Sequence, residues 1–345
     1  MNGAPTAGLS VPRSLVLHAD DFGLNTAVTH GIVRGFEEGL LTSTSLLANA
    51  PAAVEAADAW RHLEERRRAG RIVSAGKRVS LGEPSLPFDL GVHLNLTQGR
   101  PLTGPQFPEE LLDSAGRLLP PGRLFPRLLL TGRRYGPAVE RELAAQIEWL
   151  LDRGLRPTHL NGHQYVEMMP VVSGLAPELA RRYAVSHVRA AREPGHWRTS
   201  LRPGLRLSNW CLAFVKRRFA GRWCRKLDAA GVSHADAFFG ASHAGCIDAD
   251  LLRRFLHIAG APARNAAGSL NAGAPRVIEI ALHPGDRPAE MRRDLLSDGW
   301  HDPLATARAA ELELLCSTEL VAAIASAGLA LGRLAVASHK ASRAA

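Results

Sequence analysis

The sequence predicts an α/β fold built on a parallel sheet, because short apolar runs typical of buried strands alternate with longer helical stretches. The chain has 345 residues, of which 46% are hydrophobic and 22% are charged, so it is neither disordered nor fibrous and is long enough to bury a sizeable core. Glycine and proline show no fixed period, which excludes collagen-like and short-repeat folds. We expect residues 1–345 to form a single domain.

The first predicted strand, Ser14–Ala19, ends in the motif Asp20-Asp21-Phe22-Gly23. A helix is expected from Thr26 to Glu38, with Asn25 as its N-cap and Gly39 as its stop. Two consecutive carboxylates that close an apolar strand indicate function, because an unpaired buried charge is costly. At a strand end, one carboxylate can bind a metal ion while the other stays free as a base.

Three further strands are predicted: Leu90–Thr97, Thr158–Tyr165 and Arg276–Leu282. The first two contain histidine, and His283 directly follows the third. Strict alternation gives the second and third strands of the chain a polar face, which a buried parallel strand does not need for packing. The side chains on these faces are His93, Asn95 and Thr97 on one strand, and His159, Asn161 and His163 on the next.

The ends of these strands are expected to meet, because catalytic side chains of parallel α/β barrels collect at the C-terminal rim. One carboxylate with two imidazoles suits an ion of the zinc, cobalt, nickel or iron group and leaves positions open for water and substrate. His159 competes with His163 as a ligand, but in a continuous strand the two lie roughly 13 Å apart, too far for one ion. An isolated histidine such as His18 is expected to be structural.

Positive charge is concentrated in one part of the chain, whose net charge is +9. Residues 194–227 contain no acidic residue, and their arginines and lysines are interleaved with aromatic residues. We interpret this segment as a basic aromatic insertion, either an amphipathic helix packed on the protein or an element that contacts a lipid interface. Residues 64–82 carry charges of both signs and are expected to be an exposed, inserted loop.

The N-terminus and the cysteines indicate the cellular compartment of the protein. Met1–Pro12 has no basic stretch followed by an apolar core, so no signal peptide is expected. The four cysteines are far apart, which indicates buried free thiols in a reducing compartment. The most apolar stretch, Leu320–Leu331, is shorter than the roughly 20 residues of a spanning helix and is interpreted as a buried or half-buried helix. We therefore expect a cytoplasmic protein, with peripheral contact at the inner membrane face as the alternative.

Five segments, read together, carry a family resemblance: Ala19–Leu24, Gly39–Ser45, Gly91–Thr97, Pro157–His163 and Leu282–Gly285. They occur in the order found in the YdjC-like carbohydrate deacetylases, also called the ChbG/HpnK family, which the chain resembles over nearly its whole length. Arg308–Leu331 also resembles that family's closing helices. The resemblance implies a distorted, TIM-barrel-like (β/α) barrel of the polysaccharide-deacetylase type, which binds one divalent cation and removes acetyl groups from N-acetylated sugars.

The resemblance also implies roles for individual residues. Asp21, His93 and His163 match the metal ligands, Asp20 the general base and His283 a candidate general acid. The identity of the ion is left open between Mg²⁺ and Zn²⁺. Family members are described with magnesium, whereas one aspartate with two histidines is chemically better suited to zinc.

The third motif departs from the family pattern Asp-Ser-His-x-His-x-His, because this chain has Asn161-Gly162-His163-Gln164-Tyr165-Val166-Glu167. The metal-binding histidine is kept, while the preceding acid and two later histidines are changed. Side chains just past the ligand strand are expected to line the sugar pocket, so the change bears on the substrate. The residues expected to contact substrate are Asn95, Asn161, Tyr165 and Arg189.

The expected function is metal-assisted hydrolysis of the N-acetyl group of an oligosaccharide or glycolipid, with acetate and an amino sugar as products. One alternative is a barrel metallohydrolase that acts on another acyl or phosphoryl bond. Another is a non-catalytic binder that uses residues 194–227 to contact membranes or nucleic acid. No phosphate-binding glycine loop or dinucleotide fingerprint is found, and we expect no nucleic-acid partner. A homo-oligomer is compatible with the sequence.

Overall fold

The structure, a computed structural model, describes residues 13–72, 88–194, 219–260, 277–287 and 297–334. These residues form eight strands joined in one parallel sheet. The strands are β1 (Arg13–Phe22), β2 (Ser43–Leu46), β3 (Asp89–Leu94), β4 (His159–Gly162), β5 (His187–Val188), β6 (Ala237–Phe239), β7 (Val277–Leu282) and β8 (Leu329–Leu331). The helices are α1 (Thr26–Glu37), α2 (Ala53–Arg68), α3 (Pro121–Leu151), α4 (Val172–Arg182), α5 (residues 219–229), α6 (Ala249–Gly260), α7 (Arg308–Leu315) and α8 (Thr318–Ser326).

The strand order is β5-β4-β3-β2-β1-β7-β6, with β8 also paired to β1. β1 therefore has β7 on one side, while β8 and β2 share its other side. Its first residues pair with β8, as in Arg13 with Leu329, and its last with β2, as in His18 with Ser43. This central position places the end of β1 between the strands that carry the other site residues.

The two edges of the sheet meet, so the sheet curls into a distorted barrel. His187 of β5 forms an isolated parallel bridge with Ser233, which lies just before β6. The Phe238 N–H of β6 donates to the Arg192 carbonyl, which lies just after β5, at 3.0 Å. These contacts confirm the fold class that the sequence predicts.

Alternation along β1 separates an apolar face from a polar one. Leu15, Leu17 and Ala19 belong to the main hydrophobic core, which includes buried residues of the surrounding helices. His18 and Asp20 point to the opposite face, where both contact Arg189. The barrel interior is therefore polar near the site.

The predicted start of α1 is confirmed, because the Asn25 side chain accepts a hydrogen bond from the Val28 N–H at 2.8 Å. The helix ends at Glu37, one residue before the predicted end, with Glu38 as its C-cap. The prediction of one helix over Leu320–Leu331 is wrong. α8 ends at Ser326, Gly328 adopts a positive φ of 64° that a continuing helix does not allow, and Leu329–Leu331 forms β8.

The two predicted insertions lie largely outside the described residues. Of 64–82, the first part continues α2 as far as Arg68, and residues 73–82 lie outside. Of 194–227, residues 195–218 lie outside, and residues 219–227 belong to α5. In α5, Trp223 and Leu227 are buried whereas Arg222 and Arg225 are exposed, so this part is an amphipathic helix packed on the protein.

None of the helices in the described ranges is long and apolar enough to span a membrane. Among the described cysteines, Cys246 is exposed and Cys316 half-buried, so only Cys224 agrees with the expectation of buried thiols.

Candidate metal centre and active site

Asp20 and Asp21 both reach the site because the backbone turns between them. Asp21 has a φ of 69°, a left-handed conformation that is strained for a residue with a side chain. The pairing of β1 with β2 is irregular between Ala19 and Phe22, where this turn falls. Neighbouring side chains of a regular strand point to opposite faces, so this strained turn allows both carboxylates to serve one site.

The Asp21 carboxylate lies between two imidazoles. Its Oδ1 is 3.0 Å from Nδ1 of His163 and 3.3 Å from Nε2 of His93. One donor atom from each of these three buried side chains lies within 4.8 Å of the others. The structure therefore brings together the three residues that the sequence predicts as metal ligands.

This donor set fits a divalent ion of the zinc type. Ligand distances of about 2.0–2.2 Å place two tetrahedral ligands roughly 3.3 Å apart, close to the separations seen here. Nε2 of His163 has no hydrogen-bond partner among the described residues although it is buried. Nδ1 of His93 is 3.1 Å from the Ser45 hydroxyl, which would hold the ring with Nε2 toward Asp21.

A buried arginine supports the Asp21 carboxylate. Nη2 of Arg308 donates to Oδ2 of Asp21 at 2.8 Å, and Arg308 is itself held by two contacts to Asp302. Burial alone would raise the pKa of Asp21, but Arg308, His163 and His93 outweigh it and hold that pKa well below the usual range. Asp21 is therefore ionised at neutral pH, as a metal ligand must be.

Asp20 is held by a second arginine. Arg189 donates to both carboxylate oxygens, at 2.7 Å from Nη1 and 2.8 Å from Nη2. Oδ1 also has the Asn161 amide at 3.1 Å and His18 Nδ1 at 2.9 Å, so its positions are filled. Of the residues that the structure describes, only Arg189 lies at hydrogen-bond distance from Oδ2, which faces Nε2 of His283 at 3.9 Å. Oδ2 is therefore the oxygen that can accept a further hydrogen bond.

The pKa of Asp20 follows from these partners. Burial would raise it, but the charges of Arg189 and His93 and the hydrogen bond from His18 together hold it well below the usual range. The carboxylate is thus ionised throughout the neutral range.

Arg189 lies beneath the site rather than at its opening. The side chain is 1% exposed, and its Nε donates to Glu279 at 2.8 Å in addition to the bonds with Asp20. Its Nη2 also lies 3.0 Å from His18 Nδ1. With its donors engaged by side chains of the barrel interior, Arg189 positions Asp20, which differs from the substrate contact expected of it.

The chain bends after β4, which explains how His159 and His163 take different positions. Gln164 and Tyr165 both have positive φ, within a 3₁₀ segment over His163–Met168. His163 therefore turns toward Asp21, while His159 stays inside the barrel with its Nε2 at 2.8 Å from Nε2 of His18. His159 does not join the three-residue donor cluster.

His283 follows β7 and lies at the edge of the site. Its backbone N–H donates to Glu311 at 2.6 Å, and its Nδ1 has no partner among the described residues. The imidazole thus faces Asp20 across 3.9 Å with one nitrogen unengaged.

Asn95 and Tyr165 differ in their surroundings. The Asn95 amide is fully buried: its oxygen accepts from the Thr97 and Gln98 N–H groups, and its nitrogen donates to the Gln98 carbonyl and to Asn49. Asn95 therefore shapes the turn after β3. Tyr165 stacks edge-on against Phe238, and burial raises the pKa of its phenol well above the usual value, so it keeps its proton.

Glu167 belongs to the altered motif but was not expected to act. Its side chain is fully buried, and neither carboxylate oxygen has a hydrogen-bond partner among the described residues. Burial raises its pKa to about 7, although the charges of Arg189 and His93 act in the other direction. Its replacement of a family histidine is the only sequence signal that marks it.

The protein is thus a distorted (β/α) barrel with an Asp-His-His cluster at the carboxyl ends of its strands. A family model described as "YdjC-like protein" matches residues 14–326. The chain belongs to the YdjC-like family.

Three curated relatives, each named carbohydrate deacetylase, match about half of the chain. The relative from Geobacillus stearothermophilus is 36% identical over 186 residues, which are 53% of this chain and 62% of that protein. The relative from Vibrio vulnificus strain CMCP6 is 30% identical over 172 residues, 50% of this chain and 56% of that protein. The relative from Listeria monocytogenes strain HCC23 is 33% identical over 178 residues, 50% of this chain and 59% of that protein. The matched part of the chain thus spans less than two thirds of each relative.

A solved structure shows the same fold. The crystal structure of a proposed cellobiose-phosphate cleavage protein from Enterococcus faecalis V583 superposes with a TM-score of 0.62 and 21% sequence identity. The match covers 94% of this chain and 98% of that one, so the likeness extends over the whole fold.

Proposed function

We propose that this protein is a metal-dependent carbohydrate deacetylase, which hydrolyses the N-acetyl group of a saccharide or glycolipid to acetate and a free amine. The observation that carries the proposal is the pairing of an Asp21-His93-His163 cluster with a second, ionised aspartate beside it. The names of the curated relatives support the same reaction.

An ion bound by Asp21, His93 and His163 would polarise the acetyl carbonyl and lower the pKa of a bound water molecule. The two nitrogens and one oxygen of this set favour Zn²⁺ over Mg²⁺, which prefers oxygen ligands.

Asp20 acts as the general base in this proposal. Its Oδ2 accepts the proton of the attacking water, since Oδ1 is already engaged by three side chains. Arg189 keeps the carboxylate ionised and fixed in direction, so that no reorientation is needed when the proton arrives.

His283 acts as the general acid. Its imidazole lies 3.9 Å from Asp20 Oδ2, so the group that receives a proton and the group that delivers one to the departing nitrogen are neighbours. Histidine is a common general acid near neutral pH. The products are acetate and a protonated amino sugar.

The test is acetate release from a panel of N-acetylated oligosaccharides and glycolipids, with and without a chelator. We expect release from at least one member and its loss on chelation. Phosphomonoesters in the same panel test the alternative. Phosphate release without any acetate release would replace the deacetylase proposal by a phosphoester hydrolase.

A further inference from the structure

The first half of α3 exposes large apolar side chains that a solvated helix does not need. Leu130 is 84% exposed, Leu129 61% and Phe125 38%, and they lie within two turns of one helix. Leu124 and Leu128 of the same helix are buried in the core, so the helix presents a second apolar face to the outside. Contiguous exposed apolar residues mark interaction sites, whereas scattered ones do not.

Arginines surround this face. Arg123, Arg127, Arg133 and Arg134 are exposed, and no acidic residue occurs from 114 to 139. The carboxylate of Glu110 pairs with Arg134 at 2.9 Å, while Arg127 donates to the Glu110 carbonyl. The face therefore keeps a clear excess of positive charge.

The face adjoins a segment that follows His163 in the chain. A Cβ at Gly132 would be 2.3 Å from Cγ2 of Val171, so α3 contacts the chain eight residues after His163. An open hollow of about 710 Å³ is lined by residues 128–134 of α3 together with Pro170 and Val171. A partner seated on α3 would thus lie beside Pro170 and Val171.

We propose that this face of α3 docks on the surface of a lipid bilayer that contains anionic lipids. Leucine and phenylalanine side chains enter the boundary between headgroups and acyl chains, while arginines around them bind lipid phosphates. A purely electrostatic partner such as nucleic acid would leave Leu129 and Leu130 without a role. The segment at 195–218 is itself basic and does not complement a face of arginines. This proposal does not depend on the reaction proposed above.

The test is co-sedimentation of the whole protein with vesicles of phosphatidylcholine alone and with vesicles that also contain phosphatidylglycerol. We expect binding to the anionic vesicles, weaker at high salt because salt screens surface charge. Leu129→Ser/Leu130→Ser should abolish binding. Arg123→Glu/Arg133→Glu should weaken it by at least about fivefold for each arginine.

Matched controls lie on other helices. Val54→Ser removes a valine that is 59% exposed on α2, and Arg253→Glu/Arg254→Glu makes the same charge change on α6. Both should bind vesicles like wild type. Hydrolysis of a soluble substrate should be unchanged in Leu129→Ser/Leu130→Ser, which separates a failure of docking from a failure of the proposed reaction.

Three results would overturn the proposal. The first is equal sedimentation of wild type and Leu129→Ser/Leu130→Ser. The second is a concentration-dependent dimer of wild type that is lost in this variant while neither binds vesicles, since the face would then contact a second copy. The third is salt-sensitive binding of a nucleic-acid oligomer in the absence of vesicle binding.

Discussion

At the scale of single residues, the site contains two adjacent aspartates with separate arginine partners. Arg189 holds Asp20 at 2.7 Å, and Arg308 holds Asp21 at 2.8 Å. Each buried carboxylate thus has its own compensating charge and remains ionised beside the other. Their remaining contacts differ: Asp21 faces two imidazoles, whereas Asp20 Oδ2 faces His283. In the proposed mechanism, this difference assigns metal binding to Asp21 and proton transfer to Asp20.

Two variants separate these roles. Asp20→Asn should keep the bound ion but lose turnover by about 10²–10⁴-fold, because the amide cannot accept a proton. His163→Ala should lose both ion and turnover. The measurements are metal content after dialysis and acetate release, with circular dichroism as the check on folding. Substantial turnover in Asp20→Asn would contradict its assignment as the base.

The buried carboxyl of Glu167 should make the stability of the protein depend on pH. Its folded pKa is about 7 against an ordinary value of 4.5, so between these values the folded protein holds a proton that the unfolded chain has lost. The free energy of unfolding therefore falls as pH rises through this window. In Glu167→Gln this contribution is absent. From about pH 4 to about pH 8, the free energy of unfolding of the variant should therefore rise by about 3 kcal/mol relative to that of wild type.

Urea unfolding of chelator-treated protein over this pH range measures the effect. Glu109→Gln, a change at an exposed carboxylate, is the control and should follow the wild-type profile. Parallel profiles of wild type and Glu167→Gln would show that Glu167 is not the buried acid described here.

Residue types and strand-end positions predict a metal site near Asp20, Asp21, His93 and His163, and the family resemblance then selects Asp21, His93 and His163 as the ligands. The arginines were harder to predict. Arg308 lies 287 residues from Asp21 and in a helix with no local signal of function. Arg189 was expected to contact substrate, but its burial and its bond to Glu279 become visible only once the strands close into a barrel.

At the scale of elements, α1 and the loop after β7 pack backbone against backbone. A Cβ at Gly31 would lie 2.4 Å from Cα of Gly285 and 2.6 Å from the nitrogen of Asp286. This contact holds the loop that begins with His283. Only glycine at position 31 allows it without a shift of the loop.

Gly31→Ala should therefore displace this loop, lower kcat and reduce the free energy of unfolding by roughly 1–3 kcal/mol. Gly122→Ala in α3 is the matched control, because a Cβ there meets no atom within 4 Å. The measurements are acetate release and urea unfolding of both variants. Unchanged kcat and stability in Gly31→Ala would show that this contact does not position His283.

Elements with strong local signals were predicted well, and those that depend on tertiary pairing were not. The cap at Asn25 set the start of α1 as expected. Leu329–Leu331 was assigned to a helix because its composition is apolar, yet it pairs with the first residues of β1. The bend at Gln164 and Tyr165 was also not foreseen, since positive φ at two such residues is uncommon.

At the scale of the whole molecule, barrel closure brings the charges together. Asp20 of β1, Arg189 just after β5 and Glu279 of β7 come from distant parts of the chain and form one buried network. The order of motifs was enough to predict the barrel, while the contacts inside it depend on how the two sheet edges meet.

The most direct test of the proposed function is acetate release by chelator-stripped protein as Zn²⁺ is added back in measured equivalents. We expect no acetate release without the ion, a rise with added Zn²⁺, and saturation at one equivalent per chain. Acetate release by the stripped protein, or none from a chain that holds one ion, would contradict this expectation.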